Sequence, residues 1–297
     1  MLDQMGLPVL AGFDGSPASV AAVELAADEA AARVCPLVIV HVFGGRIRPP
    51  TETCAPPWDD PVATWRWRLD QIASAICADR PGLAVDSELL VGDTTEILLD
   101  RSRESCLLVL GSRRRSGVPV GSVATRVPER AAVPVIVHRP LEWRYVTTGP
   151  RPVLVGVEAA AAAEPAVSFG FLEASLRGAP LTALHLWSRP AHAAPAGVQP
   201  DAYGFAGVRA EEERRLAEAL AGWSEKYPEV PVHRMVRHSL DPAVTLAEAS
   251  RSAQLVVVGA AQSPGRGRLV LGSVHQTLAD HAGCPVAVVP TDIEFAE

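Results

Sequence analysis

This chain is poor in cysteine and in aromatic residues. Its five cysteines, Cys35, Cys54, Cys77, Cys106 and Cys284, are odd in number and widely spaced. No C-x-x-C pair and no Cys/His ligand spacing occurs, so neither a disulfide framework nor a zinc site is indicated. Most of them adjoin apolar, strand-like runs, where a thiol behaves as a small hydrophobe. Aromatic residues make up only 5% of the chain, so its cores must be aliphatic. A basic surplus is missing as well: the net charge is -7, with acidic and basic residues interspersed. Binding nucleic acid needs a basic face to neutralise phosphates, and that class is set aside. No apolar run approaches the roughly 20 residues of a membrane span. The opening stretch "MLDQMGLPVLAGFDGS" has neither the basic start nor the long apolar region of a signal peptide. Together these absences lead to the expectation of a cytoplasmic protein that engages neither membrane nor nucleic acid.

What is present is a message written twice. Hydrophobic residues at 48% against 21% charged describe a folded globular protein, and 297 residues suit two domains of ordinary size. "LPVLAGFDGSPASVAAVELAADEAA" (7–31) matches "RPVLVGVEAAAAAEPAVSFGFLEAS" (151–175), and "CPLVIVHVF" (35–43) matches "APLTALHLW" (179–187). "LVLGSRRR" (108–115) matches "VVVGAAQS" (256–263), and "AAVPVIVHRP" (131–140) matches "AGCPVAVVP" (282–290). The order is kept, which marks a tandem duplication. The reading is a first domain over 1–140, a linker over 141–151 and a second domain over 152–297.

Each copy alternates short apolar runs with Ala-rich helical stretches. In the first, strands are expected near 8–13, 37–43, 83–90, 106–110 and 133–138, with helices near 17–34, 61–80, 94–104 and 121–132. In the second, strands are expected near 152–157, 181–187, 230–237, 254–258 and 285–289. Near-continuous apolar strands such as "LVIVHVF" belong to parallel sheets covered on both faces. The fold class is therefore α/β: two tandem Rossmann-like, doubly wound domains, each a five-stranded parallel sheet with helices on both faces. The helical stretch 207–221, rich in Glu and Arg with Glu211 four residues before Arg215, reads as a solvated face with i,i+4 pairs.

In such sheets ligands gather beyond the carboxyl ends of the strands, where strand order reverses. With order 3-2-1-4-5 that point lies between strands 1 and 4. It would set Phe13-Asp14-Gly15-Ser16 against Gly111-Ser112 in the first copy, and Val157-Glu158 against Gly259-Ala260 in the second. On these residues the chain resembles a tandem universal stress protein over nearly all its length. The family's ATP-binding members carry an Asp after strand 1, then G-x-x-G, nine residues and G-[ST] after strand 4. The resemblance implies that the Asp handles the adenosine end, while loop amides and the final Gly-Ser hold the phosphates. Glycines let backbone N–H groups approach an anion, and a helix N-terminus adds unpaired donors and a favourable dipole.

The two copies depart from that pattern in complementary places. The first keeps Asp14, Gly111 and Gly121-Ser122, but Arg114 stands at the second glycine. Gly111 to Gly121 is a step of ten where the pattern has thirteen, and the missing residues remove up to roughly 10 Å of reach. The second copy keeps the full step of thirteen from Gly259 to Gly272-Ser273. Gln262 replaces its second glycine, although Gly265 and Gly267 follow in the same loop. After its first strand stands Glu158-Ala159-Ala160, so the carboxylate survives on a longer arm. The expected nucleotide contacts are thus Glu158, Leu186, Gly259, Ala260, Gln262, Gly265, Gly267, Gly272, Ser273 and Val274, with Asp14, Val42, Gly111, Arg113, Arg114, Gly121 and Ser122 as a weaker set. Arg113, Arg114 and Arg115 read first as a solvated loop and second as an anion clamp. Ser122 and Ser273 read equally as helix N-caps. His41 and His185 read as hydrogen-bonded strand-end residues, with Val42 and Leu186 packing near an adenine. His233 and His238, five apart on a strand, face opposite ways and make no metal pair.

No nucleophile elbow, P-loop or H-E-x-x-H occurs, so no enzyme activity is expected. Three functions stay open. One is a stress-response regulator tuned by ATP or another adenine nucleotide, with Mg2+ as an optional companion. The next is a ligand-independent interaction module with degenerate sites, and the third is a weak ATPase. The resemblance further implies pairing of the two domains through "VPVIVH" (133–138) and "CPVAVV" (284–289), a homodimer, and a protein partner of unknown kind.

Overall fold

The strands form where β-branched and leucine runs are longest, and several helices begin where a short polar side chain, Ser16, Asp60, Asp93 or Asp241, caps them. In the computed structural model, residues 6–44, 60–112, 122–139, 150–157, 164–188, 202–260, 274 and 277–293 are described. The chain divides into two units, residues 1–142 (with 296–297) and 143–295.

Unit 1 runs β1 (Val9–Gly12), α1 (Pro17–Arg33), β2 (Leu37–Phe43), α2 (Pro61–Asp79), β3 (Val85–Val91), α3 (Thr94–Ser102), β4 (Leu107–Gly111), α4 (Ser122–Arg130) and β5 (Val135–His138). All its ladders are parallel. β1 lies between β2 and β4, with Val9 opposite Leu37 on one side and Leu107 on the other; β3 and β5 are outermost. The order is 3-2-1-4-5, the one on which the expected site depends, and it puts the switch point between β1 and β4. Ser16 caps α1 by accepting from the Ser19 N–H, Asp60 caps α2 at Val62, and Asp93 caps α3 at Thr95 and Glu96. Pro17 and Pro61 stand at the first helical positions, where a missing N–H costs nothing.

Unit 2 repeats the plan: β6 (Val153–Gly156), α5 (Glu164–Leu176), β7 (Leu181–Trp187), α6 (Ala202–Ala219), α7 (Trp223–Lys226), β8 (Val232–His238), α8 (Pro242–Ala249), β9 (Leu255–Gly259) and β10 (Val286–Val289). β6 pairs with β7 and β9, β8 lies outside β7, and β10 outside β9. Residues 277–281 are helical and return the chain to β10.

The cores are largely aliphatic, with Phe169 and Phe171 of α5 fully buried as exceptions. Leu10, Val40, Leu98, Leu108, Val127 and Val135 form one cluster in unit 1. Leu154, Leu184, Leu246, Val256, Leu278 and Val288 belong to its counterpart in unit 2. Cys35 and Cys284 are buried with them, and burial pushes the Cys284 thiol up to about 12. Cys77 departs from the small-hydrophobe reading: it lies exposed on α2, because the stretch around it is a helix with its apolar stripe turned elsewhere. No helix among the described residues is long and apolar enough to cross a membrane.

Candidate functional site

The carboxyl ends of β1, β2 and β4 meet the start of α1 in unit 1. Asp14 follows β1 and is exposed; its Oδ1 accepts the Ser16 N–H at 2.9 Å, closing an Asx turn that sets up the helix cap. Gly15 between them has φ +75°, a left-handed conformation that suits glycine. Gly111 ends β4 against α1, and a Cβ there would lie 2.5 Å from the Ala18 carbonyl oxygen. This glycine is therefore demanded by close packing of β4 on the helix start, whatever it does for a ligand. The next residue, Ser112, gives its N–H to the His138 carbonyl at 2.8 Å. Its Oγ is buried with no hydrogen-bond partner among the described residues. Such an orphan costs roughly 1–3 kcal/mol, which a polar ligand or water would recover.

Unit 2 repeats the strand ends. Ala260 gives its N–H to the Val289 carbonyl at 2.6 Å, as Ser112 does to His138. Its side chain lies in the same apolar cluster as Val274, the residue at which the described chain resumes after the loop. Ala260 and Val274, which flank 261–273 in the sequence, thus both turn their side chains into one core. Leu186 is partly buried against that cluster, and Val42 against the cluster of unit 1. Of the other expected contacts, Arg113, Arg114, Gly121, Glu158, Gln262, Gly265, Gly267, Gly272 and Ser273 lie outside the described residues. Ser122 is the first residue of α4.

The strand-end histidines repeat to within 0.1 Å. His41 Nδ1 lies 2.7 Å from the Phe13 carbonyl oxygen, and His185 Nδ1 lies 2.8 Å from that of Val157. A carbonyl only accepts, so in each ring Nδ1 carries the proton and ties strand 2 to the loop after strand 1. Both rings are buried. Burial pushes the His41 pKa below its ordinary 6.5, against the Phe13 carbonyl and Asp14, which favour the charged ring. The unfolded chain then takes up a proton that the folded chain refuses. Stability present above about pH 6.5 is lost as pH falls through the lower folded value. Urea midpoints measured between about pH 8 and about pH 5 should decline more for the wild type than for His41→Gln. Equal declines would assign the acid sensitivity to other groups.

Two residues near these rings were not signalled by motif. Trp65, on α2, stacks on His41 with centroids 3.6 Å apart and planes 15° apart. Glu212, on α6, sets Oε2 3.0 Å from His185 Nε2 and is also paired to Arg215. Both stand one turn before a buried leucine, Leu69 and Leu216, and that spacing is the only signal the sequence holds. The remaining charges of α6 behave as read, with exposed pairs Arg209–Glu213, Arg214–Glu218 and Arg215–Glu211. His233 and His238 are exposed on β8, and among the described residues no His, Cys, Asp or Glu cluster is arranged for a metal ion.

The comparisons with known proteins agree with this architecture. The profile described as the universal stress protein family matches residues 6–139 and again 150–290. A universal stress protein of Mycobacterium tuberculosis is 36% identical over 294 residues, covering 94% of this chain and 96% of its own. One from Mycolicibacterium smegmatis is 34% identical over 291 residues, covering 95% and 96%. A universal stress protein from Archaeoglobus fulgidus shares the fold at 19% identity, with a TM-score of 0.64 over 97% of this chain and 98% of that one. Matched twice by the family profile and along nearly its whole length by these relatives, the chain belongs to the universal stress protein family.

Proposed function

We propose that this chain is a nucleotide-responsive regulator of the stress response that binds ATP or a related adenine nucleotide, with unit 2 as its better site and no efficient catalysis. The observation that supports this reading is that the residues flanking the second glycine stretch share one core. β9 ends at Gly259, Ala260 and Val274 pack into one cluster, and Gly272-Ser273 stands just before the second of these residues. The sequence keeps the full step of thirteen from Gly259 to Gly272, and in the family pattern such a loop ends at a helix start that offers unpaired N–H groups to phosphates. The step in unit 1 is three residues shorter, thirteen against ten, and its crevice is the poorer candidate. The same shortening, with Arg114 and Gln262 at glycine positions, favours the second reading, a module that works without ligand.

Calorimetric titration of nucleotide-free protein with ATP, AMP and cyclic AMP tests the proposal. Saturable binding of at least one of them is expected. Silence at millimolar ligand would eliminate the regulator and leave the interaction module.

A further inference from the structure

We propose that Trp65 closes the unit 1 crevice to a nucleobase, and that the helix residue one turn before the buried leucine sets base access in each unit. This rests on the nucleotide-binding reading of the crevice and adds a residue that decides which copy is open.

The indole of Trp65 occupies the space that a flat ligand would need. It lies face to face with His41, the ring at the end of β2, at 3.6 Å between centroids. Its edge reaches the loop after β1, where a Cβ on Gly15 would meet the indole at 3.0 Å. Phe13 meets it edge-on at 6.3 Å, and the Arg68 guanidinium lies over it at 4.9 Å. His41, Phe13 and the Arg68 cation therefore already make the stacking, edge and cation–π contacts that an aromatic base would seek. They also sit beside Asp14. A base can enter only by displacing the indole.

In unit 2 the equivalent position is Glu212, four residues before Leu216 as Trp65 is four before Leu69. A carboxylate has no ring to stack. Glu212 instead bonds the edge of His185 through Nε2, and among the described residues no aromatic ring stacks on His185. The same helical position thus closes one crevice with an indole and leaves the other to a polar group.

The test uses the full chain and AMP, whose base and single phosphate make little demand on the shortened loop. Unit 2 is first silenced with Gly272→Glu, and AMP is titrated into Gly272→Glu alone and with Trp65→Ala or Trp65→Leu added. Leucine keeps an apolar cover on Phe13 while giving up the flat stack, so it guards against a folding defect, and circular dichroism confirms the fold of each. The double variants should bind AMP at least tenfold more tightly than Gly272→Glu alone. In the reciprocal direction, Glu212→Trp in the otherwise natural chain should lose AMP binding. Tight AMP binding by Gly272→Glu that is undiminished when Glu212→Trp is added would overturn the proposal, since either the unit 1 crevice is then open with Trp65 in place or an indole at the equivalent helix position does not close unit 2. So would folded double variants that gain nothing. If the natural chain binds no nucleotide but the Trp65 variants do, the role of Trp65 stands and the preference for unit 2 falls.

Discussion

Replacing Arg177 with methionine is expected to destabilise unit 2 by about 3–5 kcal/mol, the cost of removing one partner from a buried ion pair. Glu173, near the C-terminal end of α5, has a side chain with 0% exposure, and Arg177 one turn on places Nε 2.9 Å from its Oε2. The same guanidinium reaches Gln254 Oε1 at 3.4 Å. Methionine keeps the aliphatic stem, so packing is largely conserved while the cation that offsets the buried carboxylate is removed. The double variant Glu173→Gln, Arg177→Met should recover most of the loss, because a neutral pair has far less desolvation to offset. Urea unfolding of the two variants measures this, and a loss below about 1 kcal/mol in the single variant would show a pair no stronger than a surface bridge. The first copy holds the equivalent pair, Glu29 and Arg33, at the same end of α1, both with side chains largely buried. Arg33 lies in the last turn of α1 and Arg177 just past the end of α5, where the dipole favours a cation.

That repeated pair shows what the sequence carries well and what it does not. β2 and β7 occupy Leu37–Phe43 and Leu181–Trp187 as expected, because an apolar run covered on both faces has little freedom of register. Helix starts were equally legible: Asp60, Asp93 and Ser16 sit before their helices and accept the first free N–H groups. The crevice was legible only in outline. Asp14 and Gly111 could be placed by motif and spacing, since strand ends in this topology are brought together by the sheet itself. What rests against the strand-end histidines is not legible, because Trp65 and Glu212 come from α2 and α6. Whether a helix residue reaches a strand end depends on how that helix lies on the sheet, and a one-dimensional pattern does not encode that angle. Glu212 sits in a run of five charged residues, 211–215, whose composition alone reads as solvated. Only the period of 3.6 separates it, placing it on the side of Leu216 rather than with Arg214.

Gly272→Glu is expected to lower affinity for ATP at least about a hundredfold, whereas Gly121→Glu should change it little. A single lost hydrogen bond to a charged phosphate accounts for roughly 1.5–3 kcal/mol, or about tenfold to a hundredfold. A glutamate at the loop's end adds like-charge repulsion at the place where a phosphate would rest. The same carboxylate near a helix start is favourable for the helix itself, so binding and stability should separate: affinity falls while the urea midpoint holds. If unit 2 is the working site, a carboxylate at Gly121, after a step three residues shorter, meets no bound phosphate and leaves affinity unchanged. Calorimetry on both variants, with unfolding curves beside it, decides the matter. If Gly121→Glu proved the damaging change, unit 1 would be the working site, and the Asp14 carboxylate would outweigh the missing loop residues. If neither variant altered affinity, the phosphates would have to be held away from both Gly-Ser helix starts, and the glycine stretch flanked by Ala260 and Val274 would be a structural remnant.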